Sequence, residues 1–331
     1  MPHFYEISDR IAKCGVASVT IVNTFFIFLT VFHIRGISGT YKTMIIIMAV
    51  MGILLSILEL LARPFVHNYN KGWIYFSLNS WMNVHEGFLK LTMIFYSSFY
   101  IVMLSHISVQ FLFRYLVLVS PKTAKKFTGK GILFSLCVSI FFGVIDGVAL
   151  MIFGLSDEYS DEYMMVEMLN KYELAIKDFP RFIIVIYGAD GSLRYRNVMY
   201  LVSAGVDVAI QYLLIIFCGI KMHLVMNQGF KNVSVANKKI HKQFLRALIV
   251  QTIVPTVLFV FPAVFVLLSP ILDLEMSFQT GWIYALISMF PSIDSIGFMY
   301  FVSEYRKVIK KIYLAMIPEK RSDQSELDIN P

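Results

Sequence analysis

The chain has 331 residues, of which 57% are hydrophobic and only 15% are charged, with a formal net charge of +7. A soluble domain carries about 25% charged residues, so this composition excludes a soluble protein and indicates a membrane protein. The basic residues lie between apolar runs and not on a polar domain, which argues against nucleic-acid binding. Cys14, Cys137 and Cys218 all lie inside apolar runs, so we expect buried free cysteines and no disulfide framework.

Seven apolar runs follow one another along the chain. A helix of about 20 residues crosses the hydrocarbon core of a bilayer. No cleavage site follows the first run, so it is interpreted as a retained helix. The pattern predicts an all-α seven-transmembrane helix bundle over residues 1–318, with spans at 11–32, 43–62, 88–113, 131–153, 198–220, 244–268 and 280–303.

Two outer connections have patterns of their own. The segment before the third run contains Trp73, Tyr75, Phe76 and Trp81, which suit the membrane–water interface. Residues 154–197 form the longest connection and are predicted to be an ordered outer lid. Its helical spacing of apolar side chains predicts a short amphipathic helix with Met165, Met168, Leu169, Tyr172 and Ile176 on one face. Phe182 to Tyr187, the turn signal Asp190-Gly191 and Leu193 to Arg196 predict a hairpin.

The sixth run follows a basic stretch and has no charged side chain from Ala247 to Leu268. Pro255 cannot donate a backbone hydrogen bond to Gln251, and Pro262 cannot donate one to Leu258, so we expect bends at both prolines. The Gln251 side chain lies one turn before Pro255, in a position to link this weak point to a neighbouring helix. Gln251, Pro255 and Pro262 are therefore candidate hinge residues; ordinary kinks without motion are the alternative.

The distribution of positive charge predicts the orientation. If the N-terminus is outside, 19 of the 29 Lys and Arg residues lie in cytosolic segments, as the positive-inside rule requires. We therefore expect the N-terminus outside and the C-terminus in the cytosol. Residues 304–316 place Val308, Ile309 and Ile312 opposite Lys307 and Lys311, which predicts a short amphipathic helix on the inner leaflet. Residues 319–331 are polar and predicted to be a disordered tail.

Five short motifs occur in a fixed order relative to these spans. They are Gly39-Thr40-Tyr41-Lys42, Phe113-Arg114-Tyr115, the stretch from Lys238 to Pro255, Pro291-Ser292-Ile293-Asp294, and Glu304-Tyr305-Arg306. In this order the chain resembles the nematode serpentine chemoreceptors, most closely the Str-like class, from about residue 39 to 306. The resemblance implies a G-protein-coupled receptor in the plasma membrane, within the sensory cilium of a chemosensory neuron.

The chain departs from the rhodopsin-like receptors at several of these motifs. Phe113, and not an acid, precedes Arg114; no cysteine pair joins the third helix to the second outer loop; and the seventh helix lacks an Asn-Pro motif. Rhodopsin-like switch roles are therefore not transferred to this chain. The resemblance does make Pro291 and Asp294 candidate hinge or switch residues.

The cytosolic ends of the spans supply candidate contacts for a heterotrimeric G protein. Arg114 lies where the third span is expected to meet the cytosol, either as such a contact or as an anchor that reaches lipid phosphates. The basic residues before the sixth span are either a partner surface or a consequence of the positive-inside rule. The candidates are Arg114, Tyr115, Lys238, Lys239, Lys242, Tyr305 and Arg306.

The outer halves of the spans supply candidate ligand contacts. Asp146 and Asp207 lie at membrane depth, where an ionised carboxylate costs on the order of 3 kcal/mol, so each is a functional candidate or a hydrogen-bonded packing group. Aromatic side chains there suit a small, weakly polar molecule, but at helical spacing such side chains more often belong to the helix core than to a pocket. The ligand candidates are Phe95, Ser98, Phe99, Asp146, Tyr200, Asp207, Phe265 and Tyr284.

Three function classes compete. A transporter or channel would need internal repeats or paired broken helices at matching positions, and no repeat is found. An intramembrane aspartyl protease would need Tyr-Asp and Gly-x-Gly-Asp motifs, whereas Asp146 and Asp294 follow isoleucines. No histidine spacing predicts a metal site, and no cofactor or enzyme activity is predicted. The hypothesis is a chemosensory receptor that binds a small molecule from outside and activates a heterotrimeric G protein through displacement of the sixth helix; the alternative is a multi-pass transporter or channel.

Overall fold

The computed structural model describes residues 4–37, 39–78, 85–227, 235–272, 274, 276–279 and 287–316. Its membrane-length helices run close to the predicted spans. The first five are α1 (Phe4–Phe32), α2 (Gly39–Ala62), α3 (Glu86–Val119), α5 (Lys130–Phe153) and α7 (Tyr195–Asn227), with the short α4 (Pro121–Ala124) between α3 and α5. The sixth span consists of α8 (Val235–Pro255), a π-helical turn (Thr256–Val260) and α9 (Phe261–Leu268).

The last two described helices are α10 (Phe290–Phe301) and α11 (Ser303–Met316). Six helices in the described part of the chain are long and apolar enough to cross a membrane. The predicted seventh span, 280–303, is described only from residue 287 onwards. The described part includes α10, which contains the motif that begins at Pro291. The mostly helical architecture is consistent with a seven-transmembrane fold. The predicted disordered tail lies outside the described residues.

Helix α3 is the most buried of the six helices and lies at the centre of the bundle, in contact with α2, α5 and α7. Two glycines allow α5 to approach it closely. A Cβ on Gly143 would lie 2.4 Å from Val102 Cγ2, and one on Gly147 would lie 2.5 Å from Ser98 Oγ. Small residues at such crossings let the helix backbones pack together in the membrane.

A four-stranded antiparallel sheet covers one end of the bundle, so the all-α expectation is wrong there. Its strands are β1 (Pro64–Tyr69), β2 (Gly72–Ser77), β3 (Arg181–Val185) and β4 (Ser277–Gln279), in the order β3-β2-β1-β4. The two-residue turn between β1 and β2 contains Asn70 at φ +44°, a conformation that asparagine tolerates.

The segment predicted to lie at the membrane interface is the β1–β2 hairpin, which corrects that interpretation. Trp73 and Tyr75 pack on the bundle, whereas Ile74 and Phe76 pack on α6 (Glu158–Tyr172), which lies on the other face of the sheet. A strand that is buried on both faces is a continuous apolar run without alternation. Because β2 shows no alternation of polar and apolar residues, its aromatic residues look in the sequence like those of a loop at the membrane interface. Trp81 lies outside the described residues.

The predicted hairpin within residues 182–196 is also corrected. β3 lies in the predicted run, but its partner is β2, with Trp73 opposite Ile184. Only an isolated bridge joins Tyr187 to Leu193, and Tyr195 already begins α7. The predicted turn is present, with Gly191 at φ +77°. The local pattern indicated a strand correctly, whereas its distant partner has no local signature.

Helix α6 is the amphipathic helix that the outer connection predicts. Asp157 and Ser160 form a capping box at its start, with Ser160 N donating to Asp157 Oδ1 at 2.9 Å. The buried stripe contains Ser160, Met164, Met168 and Tyr172. Met165 and Leu169 were placed on the buried face but are 45% and 54% exposed. The helical period was therefore right, and the face was misplaced by one residue.

Cys218 is buried as expected, whereas Cys14 and Cys137 are exposed on the outside of the bundle; all three are free. An apolar run does not distinguish a core-facing from a lipid-facing position, because both environments are apolar.

Candidate functional site

The sixth span is broken at Pro255, as the sequence predicts. Pro255 ends α8, and the following turn widens so that Phe261 N donates to Thr256 O. Thr256 Oγ1 donates to Thr252 O at 2.6 Å and accepts from the Tyr212 hydroxyl of α7 at 2.7 Å. Pro262 lies in the first turn of α9, where its missing N–H needs no intrahelical partner. The two prolines therefore flank one wide turn instead of making two separate bends.

Gln251 connects α8 to α10 just below this turn. Its Nε2 donates to Asp294 Oδ2 at 3.1 Å, and both side chains are buried. Gln251 Oε1 and Asp294 Oδ1 have no hydrogen-bond partner in the described part of the chain. The structure thus contains the link that the position of Gln251 suggested, and the partner is Asp294.

The α10 helix is also fixed on its other side, against α1 and α2. Ser295 Oγ donates to Asn23 Oδ1 at 2.7 Å, and Asn23 Nδ2 donates to Ala49 O at 3.0 Å. A Cβ on Gly52 would lie 2.7 Å from Pro291 Cβ, so Pro291 packs directly on α2. Pro291 and Asp294 therefore lie on a rigid part of the bundle, opposite the broken sixth span.

Arg114 is buried at the inner end of α3. Its guanidinium carbon lies 3.4 Å from the centroid of the Tyr41 ring on α2 and 3.8 Å from that of the Phe244 ring on α8. We call these three residues the arginine sandwich. Arg114 Nε and Nη2 have no hydrogen-bond partner among the residues that the structure describes. A desolvated cation–π contact contributes about 2 kcal/mol, so two rings hold α2, α3 and α8 together here.

This geometry corrects the expectation that Arg114 is exposed to a G protein or to lipid phosphates. The side chain is only 6% exposed. Helix α3 continues past Arg114 to Val119, so at this position the neighbouring helices still surround the side chain. Tyr41 belongs to a sequence motif but was not recognised as its partner, and Phe244 was missed. The absence of an acid before Arg114 was the one available signal that another group holds it.

The other candidates at this end of the bundle separate into exposed and buried groups. Lys242 and Arg306 are exposed, and Tyr115 is half-buried with its ring 6.1 Å from that of Phe217. Tyr305 is fully buried, which contradicts its assignment to a partner surface. Its hydroxyl donates to Thr30 Oγ1 at 2.7 Å.

The side chains of Lys238 and Lys239 lie outside the described residues, although both belong to α8. Within the helix that follows the seventh span, Val308, Ile309 and Ile312 pack on the bundle, while Lys307, Lys310 and Lys311 are exposed.

The ligand candidates do not converge on one pocket. Phe95, Ser98 and Phe99 line a groove of about 300 Å³ between α3 and α5, on the outside of the bundle. Phe95 and Phe265 are 52% and 45% exposed, so neither faces the interior. Helices that are apolar on every side give no period that distinguishes the core face from the lipid face. Tyr284 lies outside the described residues.

Asp146, Tyr200 and Asp207 do face the interior. Asp146 Oδ2 accepts from Ser97 Oγ at 3.2 Å, and the carboxyl group of Asp207 is close enough to influence it electrostatically. The Gln211 side chain, one turn further along α7, interacts with the Asp207 carboxyl group, but neither carboxyl oxygen has a hydrogen-bond partner within 3.5 Å in the described ranges. The Tyr200 ring lies 5.9 Å from that of Trp73 on the underside of the sheet. These three residues therefore form the interior polar group of the outer half.

The sheet also holds the outer end of the sixth span. Asn68 of β1 is buried, and its Nδ2 donates to Val266 O at 2.8 Å and to Ser269 Oγ at 2.7 Å. Tyr187 O–H donates to Ile271 O at 3.1 Å. Sequence reasoning missed Asn68, although a polar residue inside an aromatic stretch is a signal. The broken helix is thus held at its C-terminal end by Asn68, in the middle by Asp294 and towards its N-terminal end by Arg114.

Comparisons with known proteins agree with this architecture. Residues 8–310 match the model of the family described as serpentine type 7TM GPCR chemoreceptor Str. The chain is 35% identical to the G-protein coupled receptor str-33 of Caenorhabditis elegans, over 93% of this chain and 91% of that protein. It is 23% identical to serpentine receptor class r-10 of the same organism, over 82% and 80% of the two chains. The Caenorhabditis briggsae protein of that name is 22% identical, over 83% and 81%.

Proposed function

Because the chain belongs to the Str family of serpentine seven-transmembrane chemoreceptors, we propose that it detects a small, weakly polar molecule on the extracellular side and activates a heterotrimeric G protein. The N-terminus is then outside, the C-terminus cytosolic, and the receptor lies in the plasma membrane of a sensory cilium. The distribution of Lys and Arg supports this orientation.

The observation that supports the proposal most is the way in which the sixth span is held. It has a weak point after Pro255, and separate contacts fix it on either side of that point, through Asn68 outside and through Phe244 inside. A ligand shifts such a helix only if it binds one of two arrangements more tightly. An agonist that favours a rearranged outer half would therefore shift the population towards a state in which α8 has moved.

The interior polar group is the proposed ligand contact. Asp146, Tyr200 and Asp207 lie on the sheet side of the bundle interior, among aromatic and apolar side chains and a few neutral polar ones such as Ser97. A site with few polar groups and many aromatic ones suits a small molecule of low polarity. The unpartnered oxygens of Asp207 offer a polar ligand group the interaction that the described residues leave unmade.

The proposed G-protein surface is the inner end of α3, α8 and α11. Lys242 and Arg306 are exposed there already. Arg114 is buried between two rings, and a displacement of α8 removes the Phe244 ring from it. The guanidinium then becomes available to the partner. The lysines of α11 face the anionic inner leaflet in this arrangement.

A ligand screen with a G-protein activation readout tests the proposal. Cells expressing the receptor are exposed to volatile and water-soluble small molecules, and nucleotide exchange on the G protein is measured with surface expression as the control. We expect at least one molecule to increase exchange, and the Asp207→Asn variant to reduce its potency. A ligand-evoked ion flux that persists without any G protein would instead favour a channel.

A further inference from the structure

The outer cap, defined as the four strands together with α6, contains a buried histidine that the signalling mechanism above does not use. His67 lies on β1, and its side chain is fully buried between the sheet and α6. Its Nε2 lies 3.1 Å from Glu167 Oε1, and its Nδ1 lies 3.1 Å from the Tyr172 hydroxyl. Glu167 also accepts from Ser277 Oγ of β4 at 2.5 Å. These four residues, which we call the cap latch, join α6 to two strands.

A neutral imidazole satisfies all the hydrogen bonds of the cap latch. A carboxylate only accepts, so Nε2 carries the proton that is donated to Glu167, and Nδ1 is then free to accept from the Tyr172 O–H. A second proton on Nδ1 would face the Tyr172 oxygen, and the phenol hydrogen would lose its acceptor. It would also place a positive charge in a fully buried position. Protonation of His67 therefore opposes the packing of α6 on the sheet.

The groups that face His67 act in different directions, and burial outweighs the one carboxylate among them. The register places the uncharged Gln279 of β4 opposite it and Ile74 of β2 on the other side. On α6, Glu167 favours the charged ring and Lys171 opposes it. Burial is the largest influence and lowers the pKa of His67 below its ordinary value.

β1 connects the cap latch to the sixth span. Successive side chains of a strand point to opposite faces, so His67 points to α6 while Asn68 points to the outer end of α9. Asn68 makes its two hydrogen bonds to Val266 O and Ser269 Oγ from this strand. A change in the contact between α6 and β1 would therefore also alter the hydrogen bonds of Asn68 to the sixth span, the helix whose displacement is proposed above.

We propose that His67 is an extracellular proton-binding site whose protonation releases α6 from the sheet and loosens the hold of β1 on the outer end of the sixth span. The placement outside the cell rests on the proposed orientation. The release of α6 itself does not, because it depends only on the geometry of the cap.

The pH range follows from the direction of the shift. An unlatched His67 takes up a proton near its ordinary pKa of about 6.5, whereas the latched form resists protonation. The latch is complete above about pH 6.5 and weakens as the pH falls below that value. As the pH falls below about 6.5, the equilibrium constant for the release of α6 increases by up to about tenfold for each pH unit, until the pH reaches the lowered pKa of latched His67.

Hydrogen exchange of the purified receptor tests this inference without a ligand or a G protein, so its failure would not touch the proposed function. Exchange of the α6 amides is measured at pH 7.5 and pH 5.5 in the wild type, in His67→Gln and in His85→Gln. His85 is the matched control, because it is an exposed histidine at the start of α3, outside the latch. Variants are compared at the same pH, since the intrinsic exchange rate depends on pH.

Between pH 7.5 and pH 5.5, we expect the protection factors of the α6 amides to fall up to about tenfold further in the wild type and in His85→Gln than in His67→Gln. Equal protection in the wild type and His67→Gln at both pH values would overturn the inference. If His67→Gln is already unprotected at pH 7.5, Glu167→Gln decides. It removes the carboxylate that favours the charged ring and so lowers the pKa of latched His67 further. The acid-dependent loss of α6 protection should still begin near pH 6.5 but should continue to lower pH than in the wild type, and a lower end at the same pH would overturn the inference as well.

Discussion

At the scale of single residues, the arginine sandwich is the feature with the clearest consequence. Arg114 has no salt-bridge partner in the described part of the chain, and aromatic rings from α2 and α8 surround its guanidinium. Since a ring attracts a cation without an opposing charge, this contact holds the inner end of α8 while leaving Arg114 its full charge. A partner with an accepting group can then compete for the guanidinium.

Phe244→Ala should raise ligand-independent signalling. It removes one cation–π contact of about 2 kcal/mol, which corresponds to a shift of roughly 30-fold in the equilibrium between held and displaced α8. Basal G-protein nucleotide exchange, normalised to surface expression, is the measurement. Phe217→Ala is the control, since Phe217 is an aromatic residue on α7 whose ring contacts Tyr115 and not Arg114. Normal surface expression with unchanged basal exchange would contradict the role of the sandwich.

Site residues differ in how far the sequence predicts them. The Gln251 link was predictable, because a polar side chain one turn from a proline in an apolar helix has few other uses. Phe95 and Phe265 were misplaced, because lipid and core are both apolar and the helix has no polar face to set the direction. Tyr305 was misplaced since its motif indicates its importance without indicating burial. For Phe95, Phe265 and Tyr305, the sequence does not show whether the side chain faces the core or the surroundings of the bundle.

At the scale of elements, the broken sixth span is the proposed connection between the ligand side and the G-protein side of the bundle. The π-helical turn joins α8 to α9, and Pro255 lacks the backbone bond to Gln251. Tyr212 holds the turn from α7 through Thr256. The proposed pivot of the helix therefore lies at a turn with polar contacts on both sides of it.

Pro255→Ala should reduce agonist-driven signalling at normal surface expression. Alanine restores the missing backbone bond and is a strong helix former, so the variant should fold well but pivot less. Pro262→Ala is the matched comparison and should change agonist potency instead, because it alters the first turn of α9 in the outer half. Concentration–response curves with surface staining separate the two. Unchanged efficacy and potency in a well-expressed Pro255→Ala receptor would remove the hinge assignment.

The outer cap makes a second prediction at this scale. β3 pairs with β2 on one side, and on its other side Ile183 N donates to Gly154 O at 3.1 Å. Its side chains are buried between α6 and the bundle, so hydrogen exchange across Arg181–Val185 should be strongly protected. The exposed turn at Asp190 and Gly191 is the internal reference and should exchange quickly. Exchange across β3 as fast as at this turn would show that the lid is not ordered.

The elements themselves were predictable to different degrees. Long apolar runs identified the helices, and a 3.6-residue period identified α6, because both signals are local. The sheet was missed because β1 and β3 are distant in sequence and are joined only through β2. β4 has three residues, too few for a pattern. Strand pairing between distant segments leaves no trace in the sequence of either segment alone.

At the scale of the whole molecule, the bundle is closed by the cap at one end and surrounded by basic residues at the other. This asymmetry agrees with the orientation that the Lys and Arg distribution predicts. The His67 latch and the proposed ligand contacts would then face the outside, and the arginine sandwich would face the cytosol.

Epitope tags at the two termini test the orientation. A tag before Met1 should be accessible to antibody on intact cells, and a tag after Pro331 should become accessible only after permeabilisation. Seven spans require the two tags to lie on opposite sides of the membrane. Accessibility of both tags, or of neither, in intact cells would show that the number of spans is wrong.

The central claim is that signalling displaces the inner end of the sixth span from α3. Pulsed electron–electron double resonance measures this displacement directly between spin labels at Lys122 and Lys242, both exposed, after replacement of the exposed Cys14 and Cys137. We expect one short distance in the wild type without ligand. A second, longer distance is expected in Phe244→Ala and with agonist, with loss of that longer distance when Pro255→Ala is added. An unchanged distance distribution in a variant or ligand complex that activates the G protein would contradict the claim.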